Sequence, residues 1–335
     1  MKRRQFITRV AGGAGGFVLT IPVGSCNLLD SQKLEFGICT DIHQDIIHDA
    51  PKRLSAFLNA AEMRRVDFVI DMGDFCFPIP ENREFLEIWE RSSLEKHNVL
   101  GNHDMDKGTK QEFMQFVGMP ERYYSFDKGE LHFVVLDPNN ILVDGEYRPY
   151  DHGNYFKHAN EQGYVDSAQR EWLTQDLSHT TKHCIVFSHQ SLENTKGGCR
   201  NGKAVRAILE KANREAGFTK VLAAFSGHHH TDYAEQIDRI TYIQINSMSY
   251  QWVGKEYSAP ERFSQEINER RPALKYTIPY KEALFAMVTI HDGKMVLEGT
   301  QTDFIKPGPD ELKYDPRLSS NAPTVPRISE RAVTF

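Results

Sequence analysis

The sequence predicts an α/β fold that forms one domain. From residue 34 onward, short apolar runs of strand length alternate with segments whose apolar residues recur at helical spacing. Hydrophobic residues make up 40% of the 335 residues and charged residues 26%, which is typical of a globular chain with a sizeable core. No repeat, low-complexity tract or convincing linker divides the chain, so a single domain is expected.

Ten runs are predicted to be β-strands because they are short, apolar and rich in β-branched or aromatic residues. In chain order they are residues 34–39, 66–70, 97–100, 123–126, 131–136, 184–187, 221–225, 241–245, 284–290 and 295–297. Apolar residues at helical spacing predict helices between them. These helices are residues 54–61, 85–89, 166–177 and 205–212. Residues 127–130 are expected to join two strands as a hairpin, and residues 138–165 to form a long surface loop.

Residues 1–25 are predicted to be an export signal rather than part of the fold. A basic start, Lys-Arg-Arg, precedes an apolar stretch that is too short and too glycine-rich for a comfortable membrane span. The adjacent arginines followed by Gln-Phe-Ile resemble a twin-arginine signal, and the later Val-Gly-Ser-Cys resembles a bacterial lipobox ending at Cys26. The alternative is a plain cleavable signal with an incidental cysteine. We expect an exported bacterial protein, either periplasmic or anchored to the membrane through a lipid on Cys26.

The other end of the chain is expected to lie outside the domain. Residues 306–335 contain five prolines and few apolar clusters, so they are predicted to be an extended or partly disordered tail. The folded domain is therefore expected to cover residues 26–305.

The charge of the chain argues against non-specific binding to nucleic acid. The formal net charge is −6, and it becomes −10 without residues 1–25, which carry four basic residues and no acidic ones. Binding to a phosphate backbone needs a basic face, which this balance does not supply.

The four cysteines after Cys26 do not form a recognisable motif. They are Cys39, Cys76, Cys184 and Cys199. Without a Cys-x-x-Cys pair, neither a zinc ribbon nor a redox motif is predicted, although an oxidising compartment allows a disulfide of unspecified pairing.

Polar residues that suit divalent metals follow five of the predicted strands. They are Asp41 and His43, Asp74, Asn102 to Asp104, His189, and His228 to His230. In an open α/β sheet, binding sites collect outside the carboxyl ends of the strands. Carboxylate and imidazole groups bind Mn, Fe and Zn ions. Each motif alone is weak, because Asp and Asn also cap helices. Together the motifs predict one metal site.

This ordered set of motifs resembles the calcineurin-like metallophosphoesterase family over roughly residues 34 to 250. The resemblance implies an α/β/β/α sandwich, in which two mixed β-sheets pack face to face and are flanked by helices. It also implies a hydrolase of phosphate mono- or diesters that uses two divalent metal ions (Mn, Fe or Zn). A hydroxide held between the two metals would attack the phosphorus.

The resemblance divides the ligands between the two metals. One metal would be bound by Asp41, His43, Asp74 and His230, and the other by Asp74, Asn102, His189 and His228. Asp74 would then bridge the metals. Alternate residues that leave a strand point to the same side, which suits Asp41 with His43 and turns His229 away from the site.

His103 follows the ligand Asn102, and the resemblance implies that it stabilises the transferring phosphoryl group or protonates the leaving oxygen. Asp104 is expected either to orient His103 or to form a turn. Members of the family often carry another acidic residue shortly after Gly-Asp. Here Gly73 and Asp74 are followed by Phe-Cys-Phe-Pro, so this chain has no acidic residue there to take that role.

The candidates for substrate binding are Lys196, Arg200, Tyr250 and Trp252. Lys196 or Arg200 would meet a second phosphate, and Tyr250 or Trp252 would stack on a nucleobase. The alternatives are surface charges and aromatic residues at the edge of the core. Weak similarity around Cys-Arg-Asn at residues 199–201 favours the branch of the family that splits nucleoside diphosphate-linked compounds. The partner is therefore expected to be a small phosphoester.

A non-catalytic metal-binding scaffold on the same fold is the competing hypothesis, but such relatives usually lose ligands and none is missing here.

Overall fold

The computed structural model describes residues 33–194, 196–315 and 322–335. The predicted export segment and Cys26 lie outside these residues. Two six-stranded mixed β-sheets pack face to face between helices, which confirms the predicted fold class. The four described cysteines are free thiols. A search of the described residues for a helix long and apolar enough to cross a membrane finds none.

All ten predicted strands overlap strands of the structure, and all four predicted helices overlap helices. In the described residues the strands are β1 (Leu34–Cys39), β2 (Phe68–Asp71), β3 (Lys96–Asn98), β4 (Tyr124–Lys128), β5 (Leu131–Leu136), β6 (Asn140–Val143), β7 (Glu146–Pro149), β8 (His183–Ser188), β9 (Val221–Ser226), β10 (Tyr233–Ile237), β11 (Ile240–Gln244), β12 (Tyr250–Trp252), β13 (Thr277–Pro279), β14 (Ala286–His291), β15 (Lys294–Gly299) and β16 (Arg331–Thr334). The helices are α1 (Ala50–Arg64), α2 (Arg83–Arg91), α3 (Lys110–Val117), α4 (Ser167–His179), α5 (Gly202–Ala216), α6 (Gln265–Arg270) and α7 (Pro309–Leu312).

The first sheet has the strand order β16-β15-β14-β1-β2-β3, and the second has the order β10-β11-β9-β8-β5-β4. In the first sheet, antiparallel strands extend one side of the parallel strands, and in the second sheet an antiparallel strand lies on each side. Strands β1, β2 and β3 run parallel, as do β5, β8, β9 and β11. The carboxyl ends of these parallel strands therefore provide the edges at which loop residues of both sheets can meet.

Aromatic side chains fill the space between the sheets. Phe36 of β1 stacks on Phe68 of β2 with ring centroids 4.9 Å apart. Phe36 also makes edge-to-face contacts with three rings of the second sheet. The centroid distances are 5.9 Å to Phe133, 5.9 Å to Phe187 and 6.3 Å to Phe225. Because all five rings are buried, they contribute apolar area and favourable edge-to-face contacts that hold the two sheets together.

The outer face of the second sheet forms a separate core with α4 and α5. Alternate residues of β5 divide between the two faces, with Phe133 in the core between the sheets and Val134 in the outer core. Leu173 of α4 and Val205 and Leu209 of α5 cover that outer face. The continuous apolar runs of these strands reflect burial on both sides.

The loop expected at residues 138–165 contains regular structure. β6 and β7 pair antiparallel within it, and a 3₁₀ turn covers Asn154–Lys157. The sequence reasoning also missed α3, although Thr109 and Glu112 form a capping box at its start.

The C-terminal segment expected to be a tail contributes a strand to the first sheet. β16 pairs antiparallel with β15, with Val333 opposite Met295. Earlier in the segment, the Asn246 side chain donates to the carbonyls of Val325 and Arg327. The segment was expected to be extended because its few apolar residues form no cluster, but pairing with an existing edge strand needs only backbone groups.

Replacing Phe36 by Ala is expected to lower the free energy of unfolding by about 3–5 kcal/mol, because the cavity would lie between the two sheets. Equilibrium unfolding in urea measures this change. Met63→Ala is the matched control, since Met63 is 81% exposed on α1 and its truncation should change stability by less than about 0.5 kcal/mol. Similar losses in the two variants would contradict the assignment of Phe36 to the inter-sheet core.

Candidate metal centre

Loops from both sheets bring the seven predicted ligands together. Asp41 follows β1 of the first sheet, and His189 follows β8 of the second, yet His189 Nε2 lies 3.9 Å from Asp41 Oδ1. Six of the seven residues fall into two groups, each with ligand atoms within 4.8 Å of one another. The groups are Asp41 with His43 and His230, and Asp74 with His189 and His228.

The first group is buried and tightly packed. His230 Nε2 lies 3.1 Å from Asp41 Oδ1 and 3.3 Å from His43 Nε2. His43 Nε2 is 3.7 Å from the same Asp41 oxygen. Two imidazole nitrogens and a carboxylate oxygen therefore converge on one point, which suits a divalent transition-metal ion.

Asp74 connects the second group to the first. Its Oδ2 atom lies 3.2 Å from His189 Nε2 and 3.6 Å from His43 Nε2, so one carboxylate oxygen faces histidines of both groups. Its other oxygen, Oδ1, accepts a hydrogen bond of 2.8 Å from the backbone N–H of His103. Asp74 therefore lies between the two groups, as the predicted bridging role requires.

Two buried polar atoms support metal binding at this point. Asn102 Oδ1 is buried without a hydrogen-bond partner, and His189 Nε2 is buried with only the 3.2 Å contact to Asp74 Oδ2. A buried polar atom without a partner is costly, and coordination to a cation removes that cost. The residues present thus fit two divalent ions, with Asn102 added to the second group.

Backbone carbonyls direct the histidine rings towards the centre. His189 Nδ1 donates to the carbonyl of Met72, and His230 Nδ1 donates to that of Tyr250, both at 2.8 Å. These bonds leave each Nε2 as the ligand atom. His228 is held the other way, since its Nε2 donates to the Gly197 carbonyl at 2.9 Å and leaves Nδ1 for a metal.

Asp41 is oriented by two donors on one oxygen. Its Oδ2 accepts from the Thr40 hydroxyl at 2.7 Å and from the backbone N–H of His228 at 3.0 Å. Its Oδ1 is consequently left to face His230 and His43. The second contact joins the loop after β1 to the loop after β9, and so links the two sheets directly.

The sequence pattern predicts that the ligands continue the strands in extended conformation, but they do not. Five of the seven have left-handed backbone conformations, with φ of 52° at Asp41, 51° at His43, 57° at Asp74, 67° at His228 and 52° at His230. Such conformations cost of order 1–3 kcal/mol each and collect at functional sites. Asp41 and His43 share a side because both turn back in this way after β1 ends.

Glycine is required where these loops touch. A Cβ atom on Gly101 would lie 2.0 Å from the backbone nitrogen of Asp74. A Cβ atom on Gly227 would lie 2.0 Å from the Thr40 hydroxyl and 2.6 Å from Asp41 Oδ2. Any larger residue at either position would push a ligand loop away from the centre.

The buried charges of the centre set one another's pKa. Burial raises the pKa of Asp74, but His189, His103 and His43 outweigh it and hold that pKa well below its usual range. Burial lowers the pKa of His189, but Asp74 and Asp41 raise it to about 10. The pKa of His103 rises to about 9, because Asp74 and Asp106 outweigh the opposing effect of burial. The nearby carboxylates favour the protonated form of these histidines. A divalent cation that binds here would displace those protons.

Asp104 does not contact His103. Its buried carboxylate accepts from the backbone N–H groups of Gly101 at 2.8 Å, Phe75 at 2.8 Å and Asp74 at 3.2 Å. Of the two roles considered for Asp104, the contacts support the structural one, in which it joins the loops that carry Asp74 and Asn102. A catalytic role for Asp104 stays a prediction.

Residues missed by the sequence reasoning surround His103. Its Nδ1 lies 2.8 Å from Asp106 Oδ2 and 3.1 Å from the hydroxyl of Tyr155. The exposed ring of Phe156 lies 6.0 Å from the His103 ring. No motif marks Asp106, and Tyr155 and Phe156 lie in the segment that was predicted only as a long surface loop.

The four candidates for substrate binding differ in burial and in their contacts. Tyr250 is only 1% exposed and packs against the rings of His43 and His230, so it supports the ligands and offers no stacking surface. Trp252 is 44% exposed. Arg200 is exposed and donates to the carbonyls of Ala159 and Gln162 at 3.2 and 3.4 Å. Exposed Lys196 lies beside Gly197, whose carbonyl contacts His228.

His229 points away from the metal ligands, as the sequence reasoning expects. Its Nε2 lies 2.9 Å from the hydroxyl of Ser191.

Comparison with known proteins identifies the class. The calcineurin-like phosphoesterase family matches residues 34–232, more than half of the chain, and the chain belongs to that family. It is therefore a metal-dependent hydrolase of phosphoric ester bonds with a centre for two metal ions. None of the curated proteins matches the chain.

Similar solved structures include a dimetal phosphatase from Danio rerio. It is 16% identical, with a TM-score of 0.57, and the match covers 81% of this chain and 98% of that one. The anchor protein GAP50 of the inner membrane complex of Plasmodium is 16% identical with a TM-score of 0.46, over 82% and 86% of the two chains. The phosphopantetheinyl hydrolase of Mycobacterium tuberculosis is 12% identical with a TM-score of 0.42, over 74% and 96%. The similarity to the Danio rerio structure shows a shared fold.

Replacing His230 by Ala is expected to lower the bound metal from about two ions to about one per chain, because the first group loses one of its two imidazoles. Elemental analysis after reconstitution with Mn or Zn and removal of free metal measures the content. His229→Ala is the matched control, since His229 is the next residue but bonds to Ser191. Unchanged metal content in the His230 variant would contradict the ligand assignment.

Proposed function

We propose that this phosphoesterase hydrolyses phosphate mono- or diesters of small molecules, and that its substrate is a nucleotide-like or diphosphate-linked compound. The observation that supports the proposal most strongly is the position of Asp74. One of its oxygens lies 3.2 Å from His189 and 3.6 Å from His43, which belong to different ligand groups, and Asn102 Oδ1 is buried without a hydrogen-bond partner.

When bound, two divalent ions (Mn, Fe or Zn) hold the phosphoryl oxygens and supply an activated water for in-line attack. The side chains of this protein then have defined tasks. Asp41 and Asp74 provide the buried negative charge that retains the ions. His103 lies beside this charge, and its Nδ1 is bonded to Asp106, so Nε2 is the ring nitrogen outside that bond. We assign to it the stabilisation of the phosphoryl group or protonation of the leaving oxygen.

The surroundings of His103 support an aromatic or nucleoside leaving group. Phe156 is 62% exposed beside the His103 ring, and Trp252 follows the buried Tyr250 by two residues. Exposed large apolar side chains next to a polar centre suit stacking of a planar group. Arg200 and Lys196, on the loop whose Gly197 carbonyl contacts His228, are proposed to meet a second phosphate.

Asp74→Ala and His103→Ala are expected to reduce the release of nitrophenol from nitrophenyl phosphate or its bis-ester. The loss should reach roughly 10²–10⁴-fold for His103, the range of a general acid or base. His291→Ala is the control, because His291 is exposed at the end of β14.

Undiminished activity in both site variants would contradict the proposal. A metal-loaded protein with no turnover across a broad phosphoester panel would favour the scaffold hypothesis. Digestion of single-stranded DNA at physiological salt would contradict the restriction to small substrates.

We further propose that the chain is exported by a twin-arginine signal and anchored by a lipid on Cys26. The support is the sequence of residues 1–26, which lies outside the described residues. In a bacterial host, Cys26→Ala is expected to move the mature protein from the membrane fraction to the soluble periplasmic fraction. Fractionation with immunoblotting measures this, and an unchanged distribution would contradict lipidation.

A further inference from the structure

His103 has a carboxylate partner within its own turn. A 3₁₀ turn covers His103–Met105, and the backbone N–H of Asp106 donates to the His103 carbonyl at 3.1 Å. This turn places Asp106 Oδ2 2.8 Å from His103 Nδ1. Since Asp104 is occupied by three backbone N–H groups, Asp106 is the acidic side chain that holds the ring.

Tyr155 approaches the same carboxylate from another element. It belongs to the 3₁₀ turn Asn154–Lys157 and is 3% exposed, with its ring stacked on Tyr150 at 4.6 Å. Its hydroxyl donates to Asp106 Oδ1 at 2.6 Å. The Tyr155 hydroxyl oxygen also accepts from Asn102 Nδ2 at 3.3 Å. Tyr155 therefore touches the partner of His103 and a metal ligand at once.

The hydrogen-bond roles in this network follow from chemistry. An ionised carboxylate only accepts, so the Tyr155 proton goes to Asp106 and the His103 Nδ1–H also donates to Asp106. The Tyr155 oxygen then accepts from the Asn102 amide nitrogen. This contact turns Asn102 Oδ1 the other way, where it is buried without a protein partner.

We propose that Asp106 and Tyr155 are positioning residues that hold the His103 ring and the Asn102 amide in the orientations the centre requires. The proposal rests on the proposed function for His103 and extends it to two residues that no motif identifies. Asp106 leaves His103 Nε2 to face the phosphoryl group, and Tyr155 selects the oxygen of Asn102 as the metal-facing atom.

The Asp106 half of the proposal is tested by a double-mutant cycle with His103. Asp106→Asn is expected to lower kcat roughly 10–100-fold with little change in KM, as for other residues that orient a catalytic group. In the His103→Ala background the same substitution should change kcat less than about 2-fold, because its effect passes through His103. Asp151→Asn is the matched control, since Asp151 pairs with His152 at the surface.

A series of aryl phosphoesters adds a readout that a structural role would not change. If His103 protonates the leaving oxygen, Asp106→Asn and His103→Ala should both lose more rate as the leaving group becomes more basic. If His103 only stabilises the phosphoryl group, both variants should lose rate equally across the series. Different patterns in the two variants, or additive losses in the cycle, would overturn the role of Asp106.

The Tyr155 half is tested without turnover. Tyr155→Phe is expected to weaken binding of the second Mn or Zn ion roughly 10–100-fold, because the Asn102 amide loses its acceptor. Competition with a chelator measures this affinity. Tyr150→Phe is the matched control, because Tyr150 stacks on Tyr155 and is equally buried but has no contact with Asn102. Equal metal affinities in the two variants would overturn the role of Tyr155.

These outcomes separate the two proposals. If no phosphoester is hydrolysed, the proposed function fails, while the chelator experiment still decides whether Tyr155 orients Asn102. If turnover is normal but the cycle is additive, the proposed function stands and the positioning role of Asp106 fails.

Discussion

The backbone hydrogen bonds between the loops that follow β1 and β2 are the constraint on which the metal centre depends. Asp41 N–H donates to the Gly73 carbonyl and His43 N–H to the Asp74 carbonyl, both at 2.9 Å. Gln44 N–H continues the series to Phe75 at 3.1 Å. The two loops therefore remain paired after the strands end, and they place carboxylates of both ligand groups at a fixed separation.

This pairing keeps ligands in conformations that an isolated loop would avoid. Left-handed residues are costly, and so are two buried carboxylates close together. The Asp104 carboxylate stabilises the arrangement by accepting three backbone N–H groups from the loops around Asp74 and Gly101. Behind the loops, the aromatic core between the sheets makes the whole edge rigid, so the ligands are held ready before a metal binds.

The second sheet completes the centre through two kinds of contact. His189 and His230 are predicted ligands, and their rings are oriented by the backbone carbonyls of Met72 and Tyr250. The N–H of His228 also donates to Asp41, which ties the sheets together at the site itself. Separation of the sheets would therefore destroy the centre, which is why one large inter-sheet core serves both stability and function.

Sequence reasoning located the chemistry because chemistry depends on residue type. Strands, helices and the ligand motifs follow from local apolar patterns and from side chains that can bind metal, and both are visible along the chain. The prediction was wrong about the backbone conformation of the residues that follow the strands. The expected alternation along extended strands is absent, since Asp41 and His43 are left-handed.

The sequence by itself determined an α/β chain whose polar residues after strands can hold two metal ions, because periodicity and ligand type are local properties. Only the tertiary structure decided which side chains meet. Asp106 and Tyr155 meet at His103 from two separate turns, and Tyr155 also reaches Asn102. Tyr250 packs behind His43 and His230, and β16 pairs with the edge strand β15. Contacts between residues distant in sequence depend on how loops fold back, and no spacing in the chain records that.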